Sequence, residues 1–190
     1  MIYQLSKRTL EYIAARSNQN VDQDQLDVYI YGLECFINTA VPVVLLTIFS
    51  ILHDSLFETW LWIFAFTSLR KYAGGYHAPT QFTCMAFSTC LGIGNTLAIQ
   101  HLTFHLRSVA IFYFLCMGVA AILCPMKSSK KELNNTQRTH YKCYVLGLMI
   151  FFFLISMLLP SSFSITLAYS VVCCILLVVI ELLCRENLFP

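Results

Sequence analysis

Charge is scarce in this chain. Asp, Glu, Lys and Arg make up 12% of its 190 residues and apolar side chains 58%, against roughly 25% and 45–50% in an average soluble domain. So little polar surface does not cover a water-facing globule of this size. That excludes an ordinary soluble enzyme or binding module and leaves an integral membrane protein of one domain. Other shortages narrow the class. Residues 1–16 carry scattered charges and no compact apolar core, so they do not read as a secretory signal peptide. The nine cysteines include no Cys-x-x-Cys pair and are odd in number, which argues against a zinc site and a disulfide framework alike. Several of them (Cys35, Cys90, Cys116, Cys173, Cys174) sit inside apolar runs as small packing residues. The chain has no internal repeat, no low-complexity tract and no His-Glu-x-x-His metalloprotease motif.

What it has instead is a series of long apolar runs. A spanning helix needs about 20 mainly apolar residues, and six segments are candidates: 36–52, 56–72, 82–100, 107–125, 143–159 and 163–184. The second is the weakest, because its clean apolar portion, Leu56 to Leu69, would cover only about 21 Å as a helix. The expected fold class is all-α: a polytopic membrane protein with about six membrane-embedded helices and an N-terminal amphipathic interfacial helix. It reads as a single domain over 1–190, with cytoplasmic or interfacial helices in 1–35 and the bundle in 36–184.

Orientation follows from lysine and arginine, which collect on the cytoplasmic side of a membrane. With the N-terminus inside, six spans put Lys7, Arg8, Arg16, Arg70, Lys71, Lys127, Lys130, Lys131, Arg138, Lys142 and Arg185 in the cytoplasm and Arg107 alone outside. Both termini and the 70–84 segment are therefore expected on the cytoplasmic face of a cell membrane. In residues 2–16, Ile2, Leu5, Leu10, Ile13 and Ala14 recur at roughly helical spacing between Lys7, Arg8, Glu11 and Arg16. Two readings fit: a helix on the inner membrane surface against anionic lipid, or a cytoplasmic helix packed on the bundle. Residues 18–25 read as a polar turn, with Asp24 placed to cap a helix running from Gln25 into the first span.

The chemistry concentrates in Arg70-Lys71-Tyr72-Ala73-Gly74-Gly75-Tyr76-His77-Ala78-Pro79-Thr80-Gln81-Phe82-Thr83-Cys84. On one straight helix, His77 and Cys84 would share a face yet lie about 10.5 Å apart along the axis. A base and its nucleophile need roughly 2.6–3.2 Å. The breakers resolve this. Pro79 disfavours helix at Ala78 and suits the first turn of a new one, while Gly74-Gly75 lets the chain fold back. The expectation is a loop at about 71–78 that curls His77 over a helix beginning near Pro79, with Cys84 in its second turn. A free thiol has a pKa near 8.5, and an adjacent imidazole favours the reactive thiolate. Spacing alone leaves the alternative open, with Cys84 as packing and His77 as a satisfied interfacial polar group.

Arg70, the block Ala73-Gly74-Gly75-Tyr76-His77-Ala78, and Cys84 resemble the signature of the AgrB family, membrane peptidases of Gram-positive quorum sensing. Tyr31-Gly32-Leu33-Glu34 before the first span, Cys124-Pro125 after the fourth and the lysine-rich loop beyond it are similar to that family too. The resemblance covers essentially the whole chain; one departure is that the 127–142 loop lacks the further proline of many members. It implies that His77 is the general base and Cys84 the nucleophile of a cysteine endopeptidase. The implied substrate and partner is an AgrD-like propeptide, whose acidic tail is released to leave a thioester on Cys84. A cysteine or serine in the signal segment would then close a thiolactone or lactone ring.

Other residues keep two readings each. Arg70 either binds a substrate carboxylate or supports an oxyanion, or it anchors topology. Glu34 either orients His77 or pairs with a basic neighbour. Lys127, Lys130 and Lys131 either hold an acidic tail or contact lipid. Gly74 and Gly75 supply loop geometry, and Gln81 and Thr83 are candidates for hydrogen bonding. Membrane lipid is an expected partner and a homodimer the guessed assembly; nucleic acid, cofactor and metal are not expected. The competing classes are a small transporter, a metal-dependent hydrolase using His140 and Cys143 beside His77 and Cys84, and a non-catalytic scaffold. Ionisable residues are nearly absent from the spans, which weighs against a transport pathway.

Overall fold

The computed structural model describes residues 2–16, 22–76, 78, 80–102, 106–126 and 134–188. These form seven helices: α1 (Ile2–Arg16), α2 (Gln23–Leu52), α3 (Leu56–Ala73), α4 (Gln81–His101), α5 (Leu106–Leu123), α6 (Asn135–Ser156) and α7 (Ser161–Leu188). No strand occurs among the described residues. Each of the six apolar runs falls on one of α2 to α7. Among the described residues, four helices are long and apolar enough to cross a membrane: α2, α4, α6 and residues 161–184 of α7. α3 is not among them. Its 18 residues carry Glu58 in the first turn and Arg70 and Lys71 in the last, which leaves a short apolar middle. The described apolar part of α5, Val109–Leu123, is shorter still.

The start of α2 differs from expectation by two residues. Asp22, not Asp24, caps it, accepting a 2.8 Å hydrogen bond from the Gln23 amide. Asp22 holds the extended backbone that an N-cap needs, while Asp24 already lies in the first turn. α1 packs along α2.

α7 is the centre of the bundle and packs against α3, α4, α5 and α6. One buried cluster joins Ala65, Leu69 and Ala73 of α3 with Tyr113 and Ala120 of α5, Val145 and Met149 of α6, and Leu167, Val171 and Val178 of α7. A second joins Leu46 of α2, Trp62 and Phe66 of α3, and Cys173 and Leu177 of α7. The outer faces stay apolar, with Leu52, Phe57, Ile122 and Leu158 largely exposed. Patches of that kind mark surfaces covered by something other than water.

Candidate active site

The site is built where α3 ends. Gly74 caps the helix at φ 74, ψ −144, and its amide returns to the Arg70 carbonyl at 3.1 Å. That region of backbone space is essentially open to glycine alone. Gly75 follows at φ 113. Three contacts then fix the chain leaving α3. The Met126 amide donates to the Ala73 carbonyl at 3.1 Å, tying the segment after the cis Cys124–Pro125 bond to the helix end. The Tyr76 amide donates to the Leu177 carbonyl of α7 at 3.0 Å. Arg70 Nη2 donates to the Tyr76 carbonyl at 2.7 Å while its guanidinium stacks 5.7 Å from the Phe66 ring centroid.

α4 begins on the other side of the break. Thr80 is its N-cap: its Oγ1 accepts from the Thr83 amide at 3.2 Å, and the two hydroxyls lie 2.7 Å apart. The Cys84 amide makes the next bond, to the Thr80 carbonyl at 3.1 Å. The expected break is there, but its limits differ. α3 runs on to Ala73, because that residue and Leu69 are buried in the core, and α4 waits for the threonine cap. Cys84 therefore closes the first turn of α4 instead of standing in the second. Helix-dipole effects are largest in that turn.

The Cys84 thiol is half-buried. The Arg70 guanidinium lies within electrostatic reach of it and of the Cys174 thiol, so the ends of α3 and α4 meet the middle of α7. Gln81 is exposed in the first turn of α4, and the Thr83 hydroxyl is engaged with Thr80, donating to its carbonyl at 2.9 Å. Glu34 is half-buried on α2 and makes no ion pair among the described residues. His77, Lys127, Lys130 and Lys131 lie outside the described residues. His140 and Cys143, needed by a metal reading, are both exposed on α6, and no group of three or more His, Cys, Asp or Glu side chains able to hold a metal gathers among the described residues. Thr80 escaped the sequence reading, although a threonine directly after Pro79 and three residues before Thr83 is a recognisable cap signal.

The comparisons with known proteins bear on this whole layout. The family model described as accessory gene regulator B matches residues 6–184. An AgrB-like protein of Clostridium perfringens strain SM101 is 25% identical over 188 residues, covering 93% of this chain and 87% of that protein. A second from strain 13 is 24% identical over 170 residues, covering 84% and 78%. The accessory gene regulator protein B of Staphylococcus aureus strain Newman is 27% identical over 122 residues, or 64% of each chain. No solved structure matches. The family match takes in α3, the Gly74-Gly75 break, α4 and α7 together, and with it the chain belongs to the accessory gene regulator B family.

Proposed function

We propose that the protein is a membrane cysteine endopeptidase that processes the propeptide of a quorum-sensing autoinducing peptide. The observation that carries this reading is the broken helix at 74–80. It sets Cys84 in the first turn of α4 with the Arg70 guanidinium within electrostatic reach, on a chain whose family membership points to autoinducing-peptide processing.

In this reading His77 takes the proton of the Cys84 thiol, and the sulfur attacks the carbonyl that joins the signal segment to the tail. The carbonyl π-electrons move to oxygen, where the positive charge of Arg70 favours the negative charge that develops. Collapse breaks the C–N bond, His77 returns its proton to the leaving nitrogen, and the tail departs as an amine. The signal segment is left as a thioester on Cys84. Its own thiol or hydroxyl then attacks the thioester carbonyl, closing a thiolactone or lactone and restoring the Cys84 thiol. Attack by the tethered nucleophile outruns water because its effective concentration is high, and an apolar boundary keeps water scarce. Lys127, Lys130 and Lys131 would hold the acidic tail by charge.

The same proposal takes α2 to α7 as six membrane-embedded helices in a bacterial cell membrane with both termini cytoplasmic, α1 on the inner surface, and a homodimer as the assembly. The test is co-expression with an AgrD-like propeptide and mass spectrometry of the products. Cys84→Ala and His77→Ala each abolish tail release. Tail release by Cys84→Ala would rule out the thiol mechanism, and loss of release on adding a chelator would redirect it to a metal.

A further inference from the structure

Polar side chains collect where α3 packs on α4, at the end of the bundle where α2 turns into α3. Ser50, Ser55, Thr59, Asn95 and Thr96 are all buried there. Among the described residues, seven buried side-chain oxygen and nitrogen atoms have no hydrogen-bond partner, and four of them belong to this place: Thr59 Oγ1, Trp62 Nε1, Asn95 Oδ1 and Asn95 Nδ2. The other three, on Ser6, Asn38 and Tyr113, are scattered singly over α1, α2 and α5. Burying a polar group without a partner is costly, so four such atoms together call for a shared one.

The packing brings these atoms to one level. Gly92 backs onto Leu46, and His53 Nδ1 lies 3.3 Å from Gln100 Nε2. α2 and α4 therefore run parallel, and α3, which turns back at residues 53–55, runs antiparallel to α4. Two contacts bracket the region. Ser55 Oγ lies 3.5 Å from Thr96 Oγ1, and Leu91 packs against the cluster that holds Trp62. Between them, Thr59 and Asn95 stand within about one helical turn, roughly 5.4 Å, of the same level. On α3, Ser55, Thr59 and Trp62 follow at spacings of four and three residues and so share one face. On α4, Gly92 backs onto Leu46 of α2 and Gly94 onto Tyr169 of α7. Asn95 comes round the helix between those directions, roughly 100° on from Gly94 and about 60° short of Gly92. That is the sector α3 fills.

We propose that Thr59, Trp62 and Asn95 hold buried water that bridges α3 to α4. The set mixes donors and acceptors, which is what water can serve. A water oxygen accepts from the Trp62 indole N–H or the Asn95 amide N–H, and its hydrogens go to Asn95 Oδ1 and the Thr59 hydroxyl. A short chain of waters reaches both ends of the carboxamide, which point apart. Buried waters typically make about three hydrogen bonds to groups otherwise left unsatisfied. A cation does not fit, because the indole and amide N–H groups only donate. Asn95, Thr59 and Trp62 are 0%, 1% and 2% exposed, and side chains this covered leave no mouth for a larger ligand. The bridge joins the two helices that carry Arg70 and Cys84, yet it stands apart from that site. Asn95 lies eleven residues beyond Cys84, roughly 16 Å along α4. Its role is to fix the register of α3 on α4.

The experiment is hydroxyl-radical labelling of the full-length protein in detergent micelles by a short X-ray pulse, read residue by residue by mass spectrometry. Radicals form from water wherever it lies, so a buried side chain is oxidised only where water is beside it. Trp62 and Met149 are both buried and both readily oxidised, while Tyr12, exposed on α1, reports bulk solvent. Trp62 is labelled several-fold faster than Met149, and a bulk radical scavenger suppresses Tyr12 while sparing Trp62. Asn95→Leu and Thr59→Val each bring Trp62 down to the Met149 rate, with Met149 unchanged as the sign of an intact core. A variant in which Met149 rises has lost its fold, and the unmodified protein alone then decides. There, Trp62 labelled no faster than Met149 means a dry contact and overturns the proposal. Equal quenching of Trp62 and Tyr12 assigns the label to breathing of the bundle and overturns it as well. Undiminished labelling of Trp62 in both folded variants overturns the assignment of the water to Asn95 and Thr59.

Discussion

Replacing Gly75 by alanine should open the loop between α3 and α4. The residue holds φ 113, and a Cβ built on it lies 3.2 Å from the Leu177 carbonyl carbon and oxygen and from the Val178 amide nitrogen. Those atoms belong to the backbone of the central helix, at residues that are 1% and 0% exposed. α7 has no room to retreat, so the loop must. Two costs follow. Holding an L-residue in this region of backbone space costs about 1–3 kcal/mol. Lifting the loop off α7 removes the 3.0 Å bond from the Tyr76 amide to the Leu177 carbonyl, a net loss of about 0.5–1.5 kcal/mol. Together they come to roughly 1.5–4.5 kcal/mol, which raises the open population about 10- to 1,600-fold at 1.4 kcal/mol per decade. Amide hydrogen exchange read on peptides covering 70–80 and 170–182 measures this directly. Exchange at the Tyr76 amide should speed up by at least an order of magnitude while the core of α7 stays protected, and tail release should fall with it. Gly32→Ala is the control, since a Cβ on Gly32 meets nothing within 4 Å and alanine favours a helix. Wild-type protection at Tyr76 in Gly75→Ala would refute the close approach to α7.

Two further outcomes test the elements on either side. Thr80→Val removes the hydroxyl that accepts from the Thr83 amide, a loss of about 1 kcal/mol for an N-cap; exchange at the Thr83 and Cys84 amides should quicken, and Thr80→Ser should restore protection. Arg70→Lys keeps the charge but loses the planar fork that bonds the Tyr76 carbonyl and stacks on Phe66. Tail release should drop about tenfold, the scale of one hydrogen bond to a charged group, at unchanged protein levels in the membrane. A wild-type rate in Arg70→Lys would leave Arg70 as a topology anchor and nothing more.

The helices were legible from hydropathy: each apolar run from 36–52 to 163–184 falls mainly on one helix, with 107–125 and 143–159 running two and three residues past the ends of α5 and α6. The break before Cys84 was legible from Gly74-Gly75 and Pro79, which act through local backbone sterics. Its limits were not. Ala73 stays helical because it is buried in the core, and Thr80 starts α4 because its hydroxyl reaches Thr83. The first of these depends on tertiary packing, which a local pattern does not carry. The approach of Gly75 to Leu177 is of the same kind, since a hundred residues separate the partners. α3 read as a weak candidate span from its short apolar portion, Leu56 to Leu69, and it is not among the four helices long and apolar enough to cross a membrane.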